Sequence, residues 1–494
     1  MRWAQQGNPS SHWTIEVSRN GFLVVLLTLT FFHLCLAAVI PPAEDELYYW
    51  AWSKALSLSY YDHPPLTAYL IRISTAIFGD SVWSIRLFAC LGSFGTLWIL
   101  GYLTDRKRLL YLLLVTPVVF YGSLLMTPDI PLAFFWIAYV AWLTRVNRRL
   151  SDWNEDPVAR VYQTSPVPLW EWFLGGCLLG LGLLSKYTMV LGVPCTLLVL
   201  GNRYRVQAWW RGALTHFAVA ILVSLPVWIF NARYGFEPFR FQWNHTVSGV
   251  GFSSDTFLNY LGSQYLLIGG LAFWMLPWVL LKFRELGEEP RYRTHLYFYA
   301  VPFVFFLFQS FRTRLEGNWA FISYLTFWPL ADRIFFYSSF RGFQKLLLWI
   351  SFIPPIFVTV FCTLHAIHPL KQGIPPSADR LGIMRAQYDA SKRMASDLRD
   401  LPLSEVVALN YQWTSYLRFQ GIEANQIFPE GRQSQFTLEK TPTCDTPHLF
   451  AVLDSSFFPS GLNCFSDRSL LKEYNLQVRG ENIGKFQLWE LKRH

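Results

Sequence analysis

A short stretch after the first long apolar run concentrates acids and aromatics. It holds Glu44, Asp45 and Glu46, then Tyr48, Tyr49, Trp50 and Trp52, and further on Tyr61, Asp62 and His63 before Pro64-Pro65. Carboxylates that emerge beside a membrane surface repel anionic lipid, so they need partners or a chemical task. Other charged side chains lie near the ends of later apolar runs. They are Asp129 in Met-Thr-Pro-Asp-Ile-Pro, Lys186 followed by Tyr187 in Leu-Ser-Lys-Tyr, Arg233 and Arg240, and Arg312, Arg314 and Glu316 before Gly-Asn-Trp-Ala. Acids and cations in one low-dielectric cleft suit a substrate that carries an anion and reacts through a hydroxyl-like nucleophile. A carboxylate can accept the nucleophile's proton, and Lys, His or Arg can hold a departing phosphate.

Each of these residues also has a plainer reading. Asp45 or Glu46 can stabilise the start of a helix after Pro41-Pro42, and Asp129 can do the same between its prolines. Lys186 can be a snorkelling interfacial anchor. His63 can shape the turn into Pro64-Pro65, and Arg312 and Arg314 can simply satisfy Glu316. Residue types alone leave both readings open. His33, His216 and His365, on apolar runs, read as packed side chains.

The elements that must position these groups are membrane spans. The 494 residues are 52% hydrophobic, 18% aromatic and 15% charged, against roughly 25% charged in a soluble domain. Apolar runs of membrane-crossing length recur from Gly21 to His365 and then stop. Spans are expected at 21–40, 82–103, 109–126, 130–144, 170–185, 188–201, 212–230, 265–281, 296–311, 319–338 and 345–366, which makes about eleven crossings. The run Gly21–Ile40 is too long for a signal-peptide core and reads as an uncleaved first span. Leu66–Phe78 is too short to cross and suits a helix lying at the interface. Gly175, Gly176, Gly180 and Gly182 suit close helix packing.

The net charge of +9 does not form a nucleic-acid patch. With the N-terminus inside, basic residues gather in the cytoplasmic loops, as in Asp105-Arg106-Lys107-Arg108 and Arg145 to Arg149, and thin out in the opposite ones. An odd number of spans then puts the C-terminal part outside, with the acidic stretch. From His368 the character changes: Leu381, Met384, Tyr388, Ala395 and Leu398 share one helix face, and strand-like runs follow at 405–409, 448–453 and 485–491. The fold class is thus a polytopic α-helical membrane protein with a small C-terminal α/β domain. Residues 1–368 form the transmembrane catalytic domain, with the first outer loop at 41–80, and residues 369–494 form the α/β domain. Of the seven cysteines, Cys444 and Cys464 are the two in the tail, and an extracytoplasmic tail would permit their pairing. There is no Cys-x-x-Cys or His-Glu-x-x-His, so no metal is expected.

Several motifs together resemble a known family. Asp45-Glu46-x-Tyr48-Tyr49-Trp50, Asp62-His63-Pro64-Pro65-Leu66, Thr127-Pro128-Asp129-x-Pro131-Leu132, Leu184-Ser185-Lys186-Tyr187 and Asn318-Trp319-Ala320 are similar to the bacterial branch of the protein O-mannosyltransferase and lipid A aminoarabinose transferase superfamily. The tail's Tyr411-x-x-Thr-Ser-Tyr416-Leu and Gly431-Arg432-x-Ser434-Gln435-Phe436 resemble that branch's periplasmic domain, so the likeness covers nearly the whole chain. It implies the C-type glycosyltransferase fold in a bacterial inner membrane, with the site and the tail periplasmic. It implies inverting transfer of a sugar from a polyprenyl-phosphate carrier, undecaprenyl phosphate in bacteria, to lipid A, another envelope glycan or a protein, with no nucleotide or other cofactor. On this reading Asp45 is the base, Glu46 orients or stabilises, and Asp129 is a second acid of the cleft. His63, Lys186, Arg312 and Arg314 are candidates for the donor phosphate, and Tyr48, Tyr49, Tyr61, Asp62 and Tyr187 for the substrate. His63 stands where aminoarabinose transferases commonly carry a lysine, a departure that weakens any assignment of the sugar as aminoarabinose. The expected partners are the lipid-linked donor, a lipid or glycan acceptor and membrane lipid, without nucleic acid. A transporter of the same glycolipid is the alternative, disfavoured because no inverted repeat is visible and the charges sit at span ends.

Overall fold

The structure, a computed structural model, describes residues 18–106, 122–162, 166–201, 204, 208–247, 252–268, 278–331, 333–334, 343–368, 370, 374–402, 404–427, 432–439 and 446–493. The opening helix, Arg19–Val39, starts where Ser18 Oγ accepts the Gly21 N–H at 3.0 Å. It stops before Pro41-Pro42, which have no N–H to continue it. A short helix, Glu44–Lys54, follows with three acids in its first turn, where the helix dipole favours negative charge. Leu66–Phe78 starts after Pro64-Pro65 and ends at Gly79, whose φ of 75° lies in the region glycine tolerates best. That helix buries Thr67, Ala68, Ile71, Ser74 and Thr75 and leaves Ile73, Ile77 and Phe78 outward, the split an interfacial helix needs.

Among the described residues, Arg19–Val39, Val82–Leu103, Asp129–Glu155 and Trp210–Arg233 are long and apolar enough to cross a membrane, and Leu169–Ser185 and Tyr187–Gly201 are shorter apolar helical segments. Pro290–Ser310, Phe321–Ala331 and Phe343–Ile367 add to the helical body, with shorter helices at Glu237–Val247 and Ser254–Ile268. Large apolar side chains such as Val24, Phe31 and Leu222 point outward, as lipid-facing surfaces require. The expected span 109–126 lies mostly outside the described residues, as do much of 265–281 and the end of 319–338. Glycines let two helices touch: a Cβ on Gly176 would meet the His216 carbonyl at 2.5 Å, and one on Gly180 would meet Val223 Cβ at 2.6 Å.

The tail is a five-stranded mixed sheet of order β2-β1-β3-β5-β4, with strands Glu405–Ala408, Ala424–Gln426, His448–Asp454, Asp467–Val478 and Glu481–Lys492 numbered in chain order. β1 runs parallel to β2 and β3, and β5 pairs antiparallel with both β3 and β4. The β4–β5 hairpin turns on Arg479 and Gly480, both at positive φ (54° and 88°), the backbone sign of a type I′ turn, which matches strand twist. Asp379 Oδ1 caps the helix Arg380–Arg399 by accepting the Gly382 N–H at 2.8 Å. The same oxygen sits 2.8 Å from His365 Nε2 on the last membrane helix. His365 Nδ1 accepts the Leu370 N–H at 3.0 Å, so Nε2 carries the proton and donates to Asp379. Cys464 is disulfide-bonded; Cys444, its expected partner, lies outside the described residues.

Tail and acid-bearing helix share one apolar cluster, in which Leu47, Tyr48, Trp50 and Trp52 pack with Trp413, Tyr416, Phe436 and Phe450. The Tyr416 hydroxyl donates to the Pro42 carbonyl at 3.3 Å, and the Gln435 N–H donates to the Tyr48 hydroxyl at 2.5 Å. The sheet is therefore fixed against the stretch that carries the acids.

Candidate active site

Neighbouring residues on a helix point about 100° apart, and this separates Asp45 from Glu46. Glu46 turns inward and meets Arg86 from the helix Val82–Leu103. Its Oε1 accepts from Arg86 Nε at 2.8 Å and from the Met126 N–H at 2.9 Å; its Oε2 accepts from Arg86 Nη2 at 2.5 Å and from the Ala43 N–H at 3.0 Å. Arg86 also donates to the carbonyls of Ala37, Ile40 and Pro41. Both side chains are sealed, at 0% and 1% exposure. Glu46 was expected to orient or stabilise; its lone pairs are occupied and it does not line the cavity. It ties the end of the first span to the acid-bearing helix and so aims its neighbour.

Asp45 turns the other way, into a cavity of about 870 Å³. Its carboxylate is open to that cavity, but protein encloses the space around it. Oδ1 accepts from the Tyr411 hydroxyl at 3.0 Å, a contact between residues 366 apart in sequence. Burial raises the Asp45 pKa above the ordinary carboxylate range, and Tyr411 and Arg432 hold it back. Beside it, Asp62 accepts from the Tyr48 hydroxyl at 2.8 Å and from Arg432 Nη2 at 2.6 Å. Burial pushes Asp62 up to about 6, against the pull of Arg432 and Tyr48. The Asp62 carbonyl accepts from Gln242 Nε2 at 2.6 Å, which fixes the turn before His63.

A second polar group stands on the helical wall. Lys186, just past the helix Leu169–Ser185, places Nζ 2.7 Å from Asp129 Oδ1, and Asn318 Nδ2 donates to Asp129 Oδ2 at 3.0 Å. Asp129 is the first residue of its helix. Tyr49 feels the charges of Asp45, Asp62 and Asp129 together, so it sits among all three, with the His63 ring 6.0 Å away. Tyr187 packs edge-on against Phe239 at 5.2 Å. Leu183, Val190, Val227, Trp228 and Phe306 make much of the remaining lining apolar.

Of the candidates from sequence, the cavity gathers Asp45, Tyr48, Tyr49, Asp62, His63, Asp129, Lys186 and Tyr187. Tyr61 does not line the cavity; its hydroxyl donates to Gln433 Oε1 at 2.6 Å and its N–H to Gln435 Oε1 at 3.0 Å. Arg312 and Arg314 do not line the cavity either. They are exposed on the turn after Pro290–Ser310, while Glu316 and Asn318 of the same turn face the cavity. Arg233 and Arg240 are likewise exposed and off the lining. Tyr411 and Arg432 belong to the cavity although the sequence offered them only as tail motifs. Arg86 also escaped notice; its signal was an arginine inside an apolar span, which must find a partner. Among the described residues, no three His, Cys, Asp or Glu side chains are grouped to hold a metal ion.

Comparison with known proteins places this geometry. Residues 62–155 match the family model of dolichyl-phosphate-mannose-protein mannosyltransferases. The chain is 26% identical over 304 residues to the lipid A galacturonosyltransferase RgtD of Rhizobium johnstonii (strain DSM 114642 / LMG 32736 / 3841), covering 57% of this chain and 58% of that protein. It is 25% identical over 278 residues to the undecaprenyl phosphate-alpha-4-amino-4-deoxy-L-arabinose arabinosyl transferase 1 of Pseudomonas fluorescens (strain Pf0-1), covering 53% and 46%. The chain thus spans about half the length of the curated relatives it matches. Its fold matches the crystal structure of ArnT from Cupriavidus metallidurans bound to undecaprenyl phosphate, with TM-score 0.60 and 14% identity over 95% of this chain and 97% of that one. The apo state of that protein matches equally, with TM-score 0.60. The likeness establishes a polytopic C-type glycosyltransferase fold.

Proposed function

We propose that this chain, which resembles the superfamily of protein O-mannosyltransferases and lipid A aminoarabinose transferases, is an inverting glycosyltransferase. It moves a sugar from a polyprenyl-phosphate carrier, undecaprenyl phosphate, to an acceptor at the periplasmic face of the inner membrane. Lipid A, named for the galacturonosyltransferase relative, is the acceptor we favour. The observation that carries the reading is the Asp45 carboxylate, aimed into a cavity that also presents Lys186 and a largely apolar wall.

The chemistry asks little of the protein. Phosphate is a good leaving group, so the site must align acceptor and donor, neutralise the departing charge and, for a hydroxyl acceptor, remove a proton. Asp45 takes that proton, and its raised pKa makes it a better base than a free carboxylate. Lys186 and His63 face the donor phosphate, with Asp129 and Asn318 holding the lysine. If the acceptor is itself a phosphate, no strong base is needed, and Asp45 orients it or stabilises positive charge on the sugar. Tyr48, Tyr49, Asp62 and Tyr187 shape the sugar pocket. No metal or other cofactor takes part.

The test is Asp45→Asn in the full-length protein. We expect normal folding and a loss of transfer of about 10²- to 10⁴-fold, read by mass spectrometry of envelope glycolipids from cells with and without the protein. Full transfer by the folded variant removes Asp45 from the mechanism.

A further inference from the structure

Arg432 has no task in that reaction, yet it is built into the cavity wall with care. It follows β2 in the tail, and its main-chain carbonyl accepts from Gln426 Nε2 at 2.7 Å, while Ser434 Oγ also bonds Gln426. Its guanidinium lies over two rings, 4.8 Å from the Tyr411 centroid and 5.3 Å from that of Phe241. Rings of this kind hold a guanidinium by its flat faces, so the edge, where the N–H groups point, stays available. A guanidinium has five N–H donors. Among the described residues, its guanidinium makes one hydrogen bond, from Nη2 to Asp62 Oδ1. The side chain keeps 41% of its surface open, and it lines the same cavity as Asp45.

A cation held beside two rings, with spare donors, matches a planar or tetrahedral anion that takes two N–H groups at once. The neighbouring Asp45, Asp62 and Glu316 would repel such an anion, so the arginine decides whether it can enter at all. Resting on the glycosyl-transfer reading, which assigns the carrier phosphate to Lys186 and His63, we propose that Arg432 is a specificity-determining residue gripping a second anionic substituent of the substrates. That substituent is either a carboxylate on the transferred sugar or a phosphate on the acceptor. A substrate without it leaves the arginine donors without that partner in the cavity, and discrimination by a missing charged contact exceeds what a missing apolar contact gives.

The experiment uses full-length protein in membrane vesicles and two pairs of substrates. Donors are undecaprenyl phosphate carrying galacturonic acid or galactose, and acceptors are lipid A with its phosphates or lipid A dephosphorylated enzymatically. We expect the unsubstituted protein to prefer the anionic member of one pair at least tenfold in kcat/KM. Arg432→Gln erases that preference mainly through KM. Arg432→Lys retains the charge opposite Asp62 but lacks the fork, and keeps only part of the preference; it carries the test should the Gln variant unfold. Loss confined to the donor pair identifies a sugar carboxylate, and loss confined to the acceptor pair identifies an acceptor phosphate. Unchanged preferences in the Gln or the Lys variant, or no preference in the unsubstituted protein, overturn the assignment. Folded protein that transfers nothing from any pair overturns the glycosyl-transfer reading beneath it.

Discussion

Two arginine–carboxylate pairs of nearly equal length stand on either side of the acid-bearing helix, and they do different work. Glu46–Arg86 is 2.5 Å long and sealed from both sides; Asp62–Arg432 is 2.6 Å long and open on the arginine side. In the first, further donors and acceptors from the backbone use up both charges, so the pair is a joint between segments. In the second, the arginine keeps spare donors and the carboxylate remains titratable near neutrality, so the pair can respond to a ligand or to a proton. The same two functional groups become scaffold or site according to how many other partners close around them.

The largest expected effect is in the sealed pair. Glu46→Gln or Arg86→Met leaves a charge without its partner in a dry interior and should cost about 3–5 kcal/mol. The readout is the melting temperature and recovery of monodisperse protein in detergent. If both variants melt like the parent, the joint is not structural. Next comes Lys186, a cation that the cavity keeps within reach of substrate: Lys186→Met should preserve the fold, since Asn318 still holds Asp129, and lower kcat/KM by about 10²- to 10³-fold. A folded Met variant with parental kinetics would give the donor phosphate to another residue.

The open pair predicts a pH dependence. The Asp62 pKa rises from 3.8 to about 6 on folding, so the native state binds the extra proton between those values. The contribution of Asp62 is therefore fully present below 3.8, falls as pH rises towards 6, and is gone above it, a swing of about 3 kcal/mol at most. Melting temperature against pH should show this slope, and Asp62→Asn should flatten it. A slope unchanged by the substitution would assign it to other groups. The smallest effect belongs to Tyr411→Phe, which removes one hydrogen bond to Asp45, worth about 1 kcal/mol or fivefold in rate. Since that bond holds the Asp45 pKa down, its loss should also move the acid limb of the pH–rate profile upward. A profile that does not shift would uncouple Tyr411 from Asp45.

Much of this was legible in residue order. The apolar runs, the prolines that end the first span and the short amphipathic Leu66–Phe78 announced their elements, because period and length are local properties. The gathering of Asp45, Asp129 and Lys186 followed from their places at span ends and from the family likeness. The split between Asp45 and Glu46 was not legible, since two adjacent acids differ only in what lies around them, and the decisive partner, Arg86, is 40 residues away. Arg312 and Arg314 looked apt by charge, but a turn aims them outward. β1, β3 and β5 showed as strand-like runs, the last by its alternation. β4 did not, because it is an edge strand exposed over Arg468–Glu473 without a clean alternation.

Because Tyr411 and Arg432 close the chamber from the far end of the polypeptide, the chamber is assembled last. A ribosome still translating the membrane helices holds a chain with its aspartate in place but its wall unfinished. On the proposed reaction, competence for chemistry would therefore arrive together with completion of the fold.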